Sequence, residues 1–244
     1  MNTSESSSSN PVLTCSRVSK LDTPEGREAL FSQVLDAVPG WHSRPWATKA
    51  MGHWLELMER GLNARWPAAK GNHHAWPGGL FFHTISVTVA ALRHAHWLST
   101  WMDDVEPDYD VIAVAGLYHD LGKLLEVNPQ PGGDYTPIGG ALGHLPIGML
   151  RWSWIAMMEL EVPTREHWHV LHCIAAHHSN AGTGAPQPRT FEACLISMMD
   201  AADSKVVGLL DALAKPKEER PRHFSLAVDW QQEWTEKNAC GLSR

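Results

Sequence analysis

Apolar residues recur every three or four positions along most of the chain, the spacing that gathers them on one face of a helix. No segment shows the strict alternation of a half-buried strand. Thr23 ahead of Pro24 reads as an N-cap with proline at the first helical position, and Leu30, Phe31, Val34 and Leu35 follow at helical spacing. Residues 47–66 predict a second helix with Met51, Trp54, Leu55, Met58 and Leu62 on one stripe. Pro77, Gly78 and Gly79 break the pattern, residues 80–101 resume it as a long helix, and residues 111–125 predict another. The Pro/Gly stretch over 129–143, with Gly139, Gly140 and Gly143, predicts a loop of functional length. Helices over 144–160, 164–178 and 189–213 complete the set, and together they predict an all-α bundle. Leu80, Val87, Leu117, Ile147 and Ile196 are assigned to its core.

At the ends the pattern fades. Residues 1–22 are Ser-rich and polar, and predict a disordered tail. Residues 23–214 hold the predicted domain, and 215–244 a charged linker with a short amphipathic helix near 224–234. With 244 residues, 43% of them hydrophobic, the chain is long enough to bury a substantial core. No uncharged apolar run reaches about 18 residues, and the start MNTSESSSSN has neither a basic nor an apolar stretch, so the expectation is a cytoplasmic protein without a membrane span. Cys15, Cys173, Cys194 and Cys240 lie far apart with no CxxC pair, and read as reduced thiols. The 20 Lys+Arg against 27 Asp+Glu give a charge of -7, which opposes binding of a long polyanion unless bound cations or a basic patch offset it.

Two counts stand out, 15 His and 12 Trp. Histidine is the commonest metal ligand, and here it sits with carboxylates where predicted helices meet loops: His83, the pair His119 and Asp120, His144, the pair His177 and His178, and Asp200. Imidazole and carboxylate together suit Mn, Fe, Zn or Mg rather than soft metals. Asp120 is placed to bridge two ions about 3.5 to 4 Å apart, with histidines from other helices filling the remaining positions, and such a pair of ions activates water. Asp203, one helical turn beyond Asp200, is expected to support a ligand histidine by hydrogen bonding. His42, His53, His94, His96, His167, His172 and His223 receive no role, and the His169, Cys173, His177 face lacks a fourth ligand in the text. There is no GxSxG elbow, no Gly-rich loop ending in Lys-Ser or Lys-Thr, and no GxGxxG after a strand.

The order His83, His119-Asp120, Asp200 resembles the HD phosphohydrolase superfamily. Residues 67–86 (PAAKGNHHAWPGGLFFHTIS), 116–126 (GLYHDLGKLLE), 134–148 (DYTPIGGALGHLPIG), 174–179 (IAAHHS) and 200–205 (DAADSK) are similar to the HD domain of the YhaM-type 3′–5′ exoribonucleases. The resemblance implies an all-α HD-domain bundle over residues 23–214, holding one or two divalent ions, Mn first and Fe, Mg, Zn or Ni as alternatives, that hydrolyses phosphodiester bonds. Carried over by position, it implies that His83, His119, Asp120 and Asp200 form the metal set, extended by His144 and by His177, His178 or both. It makes Asp120, Lys123 and His144 candidate catalytic residues. Lys70, Asn72, His73, His74 and Lys205 become candidates for phosphate contact, and Trp76 a candidate for stacking on a base.

Exoribonucleases of this type carry an OB-fold domain before the HD domain, where this sequence has a Ser-rich tail and one helix. With the charge of -7, that difference gives weight to short oligonucleotides, nucleotides or cyclic nucleotides beside single-stranded RNA or DNA as substrate. The HHA…PGGL…H block over 73–83 also resembles the HD-type relaxase module of mobile elements. The same scaffold hosts di-iron oxygenases. The sequence leaves the oligomeric state open.

Overall fold

A computed structural model describes residues 21–60, 63–71, 73–129, 134–178, 184–220, 222–224 and 227. Among these the protein is all-α: α1 (Pro24–Leu35), α2 (Pro45–Glu59), α3 (Gly79–Trp101), α4 (Tyr109–Tyr118), α5 (Lys123–Glu126), α6 (Pro137–Leu142), α7 (His144–Trp154), α8 (Thr164–Ala176) and α9 (Phe191–Leu213). The extended pairing described is an isolated antiparallel bridge between Val127 and Tyr135. No described helix is long and apolar enough to cross a membrane. The expected tail over 1–22 lies almost entirely outside the described residues, as does most of the helix expected near 224–234.

The helix starts follow local chemistry. Thr23, Asp108, Thr136 and Thr190 each accept a backbone N–H of the first turn with a side-chain oxygen, relieving donors that a helix start leaves orphaned. α4 is buried from Asp110 to Tyr118, as a helix apolar on all sides must be, and packs against α2, α3, α8 and α9. The close approach of α3 and α4 depends on Gly116, where an added Cβ would lie 2.5 Å from Thr88 Oγ1. That approach brings the start of α3, carrying His83, beside the end of α4, which leads into His119 and Asp120. Leu80, Val87, Leu117, Ile147 and Ile196 are all buried, as are Trp54 and Trp152.

Several boundaries differ from the periodicity. The second helix stops at Glu59 rather than running to Trp66, because Arg60 turns to an extended conformation, and a separate 3-10 turn covers Asn63–Arg65. The helix expected over 111–125 ends at Tyr118. A turn through His119–Gly122 separates α4 from α5, and Gly122 packs so tightly on α7 that an added Cβ would meet His144 O at 2.0 Å. The predicted 129–143 loop contains α6, so Gly139 and Gly140 are helical; Gly139 lies where a Cβ would come within 2.2 Å of Glu126 O. α7 ends at Trp154 and continues as a π-turn, Ile155–Glu159. Leu35, assigned to the apolar stripe of α1, is 48% exposed.

Candidate metal centre

The start of α3, the end of α4, the start of α7 and the end of α8 converge on Asp120, while Asp200, expected where a helix meets a loop, comes from the middle of α9. The Asp120 carboxylate is fully buried, and its two oxygens face different histidines. Oδ2 lies 3.3 Å from His83 Nε2 and 3.4 Å from His119 Nε2. Oδ1 lies 3.6 Å from His177 Nε2 and 3.7 Å from His144 Nε2. Asp200 spans the same divide, with Oδ1 3.1 Å from His83 Nε2 and Oδ2 3.4 Å from His178 Nδ1. His83, His119 and Asp120 are one set able to hold an ion, and Asp120, His144, His177 and His178 are a second.

The outer nitrogen of four imidazoles is occupied. His119 Nδ1 donates to Gly116 O at 2.7 Å and His177 Nδ1 to Ile174 O at 2.7 Å. His83 Nδ1 donates to Asp203 Oδ2 at 2.7 Å, and His144 Nδ1 to Glu126 at 3.0 Å. A carbonyl or carboxylate only accepts, so each Nδ1 carries a proton and each Nε2 points inward, able to ligate an ion wherever it carries none. This is the arrangement that orients metal-ligating histidines. Asp120 Oδ1, His144 Nε2 and His177 Nε2 are buried without hydrogen-bond partners. Each such orphan costs about 1–3 kcal/mol, and a carboxylate oxygen and two imidazole nitrogens left unsatisfied around one point fit a divalent cation.

The charges are set by these neighbours. Burial works against the charge of Asp120, yet Lys123 and His119 hold its carboxyl well below the usual range. Lys123 is itself buried, its Nζ 2.6 Å from Asp120 Oδ2, and Asp120 and Asp200 keep it protonated against the pull of desolvation. Burial lowers His83, but its hydrogen bonds to Asp120, Asp200 and Asp203 more than offset this and leave it at about 10, so without an ion the ring is protonated on both nitrogens and a bound cation would take the place of the Nε2 proton. His178 is pushed down to about 3 by burial and by His177, so it is neutral. His177 is also lowered by burial.

The other described candidates lie at different depths around this cluster. His74 is buried in a left-handed backbone conformation (φ 50°), with Nε2 3.4 Å from Asp203 Oδ2. His73 Nε2 bonds the Ser204 hydroxyl at 3.1 Å. Burial lowers His74 to about 3 and His73 to about 4. Trp76 is partly buried and packs on His74 and Phe82, with ring centroids 5.8 Å from each. Lys70 pairs with Asp134 at 2.6 Å, at the edge of a cleft that reaches Lys123 and His144. Lys205 is exposed on α9, and Asn72 lies outside the described residues. The His169, Cys173, His177 face does not assemble: His169 pairs with Glu192, and His177 turns to Asp120. Sequence reasoning missed Glu126, which grips both the backbone N–H and the imidazole of His144. The available signal was an acidic residue closing the GLYHDLGKLLE block.

Among curated proteins the chain is 33% identical over 166 residues to the 3′-5′ exoribonuclease YhaM of Bacillus velezensis, covering 66% of this chain and 50% of that protein. It is 33% identical over 179 residues to the YhaM exoribonuclease of Bacillus subtilis, covering 71% and 52%. It is 32% identical over 164 residues to that of Oceanobacillus iheyensis, covering 66% and 50%. These relatives are the ones the HD-type blocks resemble, and the chain spans about half of their length. No family model matches the chain. No solved structure matches it.

Proposed function

We propose that this chain is a metal-dependent phosphodiesterase acting on single-stranded nucleic acid from the 3′ end or on short oligonucleotides. The observation that carries the reading is Asp120, whose two oxygens each face a separate pair of imidazole nitrogens. A carboxylate so placed suits two divalent ions, Mn first among them. The names of the curated relatives support a nuclease in particular.

In this reading His83, His119, Asp120 and Asp200 hold one ion, and Asp120, His144, His177 and His178 the other. When bound, such ions lower the pKa of water and stabilise charge on a phosphate oxygen. The residues of the chain prepare that chemistry. Asp203 and Glu126 fix the rings of His83 and His144. Lys123 remains an ammonium beside Asp120, and its place on the wall of the cleft puts a positive charge where phosphate enters. The buried flank under His83 and His119 keeps bulk water from the centre.

The charge of -7 favours a second reading, in which nucleotides or cyclic nucleotides are the substrate rather than strands. One experiment separates the two. The protein is stripped of metal and reloaded singly with Mn, Mg, Fe, Zn or Ni, and hydrolysis is followed on bis-p-nitrophenyl phosphate, on cyclic nucleotides and on 3′- and 5′-labelled single-stranded RNA and DNA. Metal-dependent release of mononucleotides from the 3′ end is expected. Cleavage of the dye ester or of cyclic nucleotides with strands intact supports the second reading, and no hydrolysis with any metal refutes both.

A further inference from the structure

The cleft beside His144 has a volume of about 400 Å³ and is lined by Lys70, Gly71, Lys123, Val127, Tyr135 and His144 among others. That size lies within the roughly 300–1,000 Å³ of small-ligand pockets. Tyr135, on its wall, is 50% exposed. The backbone that carries it is nevertheless fixed. Asn128 N–H bonds Asp134 O at 3.0 Å, Thr136 N–H bonds Glu126 O at 2.9 Å, and the Thr136 hydroxyl bonds Leu125 O at 2.6 Å. Glu126 is the residue that grips His144, so the tyrosine and a candidate metal ligand hang from one stem.

Lys70 Nζ lies 5.6 Å from the centre of the Tyr135 ring and 2.6 Å from Asp134. The Lys70 and Asp134 side chains are 49% and 75% exposed, and an ion pair so open to water is weak enough to yield to a phosphate. Trp76 offers less, because its indole already packs on His74 and Phe82.

We propose that this cleft is a nucleotide subsite, in which Tyr135 stacks on a base and Lys70 pairs with a phosphate of the same strand. This rests on the reading of the chain as a nuclease. An aromatic face accepts any base, while a lysine contributes attraction without reading sequence. The subsite is therefore tolerant of sequence and selective for single strands, whose bases are free to stack. Tyr135 stands nine positions before His144, and the Glu126 stem aims it at the same phosphate path.

The test measures binding without turnover, using a fluorescein-labelled, phosphorothioate-linked RNA hexamer and anisotropy on the full chain. Tyr135→Ala and Tyr135→Leu are expected to weaken binding roughly tenfold, while Tyr135→Phe and Tyr135→Trp keep it within about twofold by retaining the aromatic face. Lys70→Ala is expected to weaken binding and to flatten its salt dependence. The proposal is overturned if the Ala and Leu variants bind like the parent, or if the parent does not bind the hexamer. Tyr135-dependent binding by a protein that hydrolyses no phosphodiester sustains the subsite and removes the nuclease reading. Hydrolysis of strands with binding indifferent to Tyr135 does the reverse.

Discussion

The two halves of the His/Asp cluster are built alike and exposed differently. In one half, His83 and His119 have no exposed side-chain surface, and His83 is wedged among Asp120, Asp200 and Asp203. In the other, the side chains of His144 and His178 are 15% and 35% exposed, and His144 opens onto the cleft. Both halves use the same device, an imidazole with Nδ1 tied to an outer acceptor, so ligand chemistry alone does not distinguish them. Burial does. A buried set holds an ion whose removal leaves charges stranded in low dielectric, whereas a half-open set leaves room for substrate to approach.

Asp120 belongs to both halves, so Asp120→Ala carries the largest expected effect. Loss of all hydrolysis together with metal uptake, read by turnover and by metal analysis of the dialysed protein, is the outcome; a variant retaining full turnover removes the bridging role. A comparison of His83→Ala with His178→Ala comes next. In the metal-free protein the first removes the cation facing the buried Asp120 and Asp200 and is expected to cost about 3–5 kcal/mol in a denaturant melt. The second is expected to leave the melt nearly unchanged while reducing the ions bound per chain. Equal destabilisation by the two collapses the distinction between closed and open halves.

Smaller effects sharpen the contrast. Asp203→Asn keeps the shape but weakens the grip on His83 Nδ1, and is expected to lower metal affinity about 10- to 100-fold, measured by competition with a chelating dye. Gly139→Ala places a Cβ against Glu126 O and forces α6 to shift. Overpacking of this kind is expected to cost about 1–3 kcal/mol. Its functional effect is confined to the open half, seen as weaker loading of the second ion in a metal titration with the first unchanged.

Much of this was legible in the sequence, for reasons particular residues make plain. Thr23, Pro24 and the Leu30–Phe31–Val34 spacing gave α1 because capping and periodicity act within a few residues. The break after Tyr118 was not legible. Leu121 and Leu124 keep the apolar rhythm through the turn, and the close seat of Gly122 against His144 O involves an element more than twenty positions away. Lys123 is by resemblance a candidate catalytic residue, and in the fold it is buried against Asp120 while also lining the cleft wall. Tyr135 stands in the 134–148 block but received no role there, since its place on the cleft depends on a bridge to Val127.

The sequence by itself determined the helical architecture and supplied the imidazoles and carboxylates, because both are properties of short-range spacing and side-chain chemistry. Only the tertiary structure decided which oxygen of Asp120 faces which pair of histidines, which half of the cluster is closed to water, and that Tyr135 and Lys70 flank the open one. Those are matters of distance between segments far apart in the chain. They are set by how α3, α4, α8 and α9 close around a common core, and no local pattern encodes that closure.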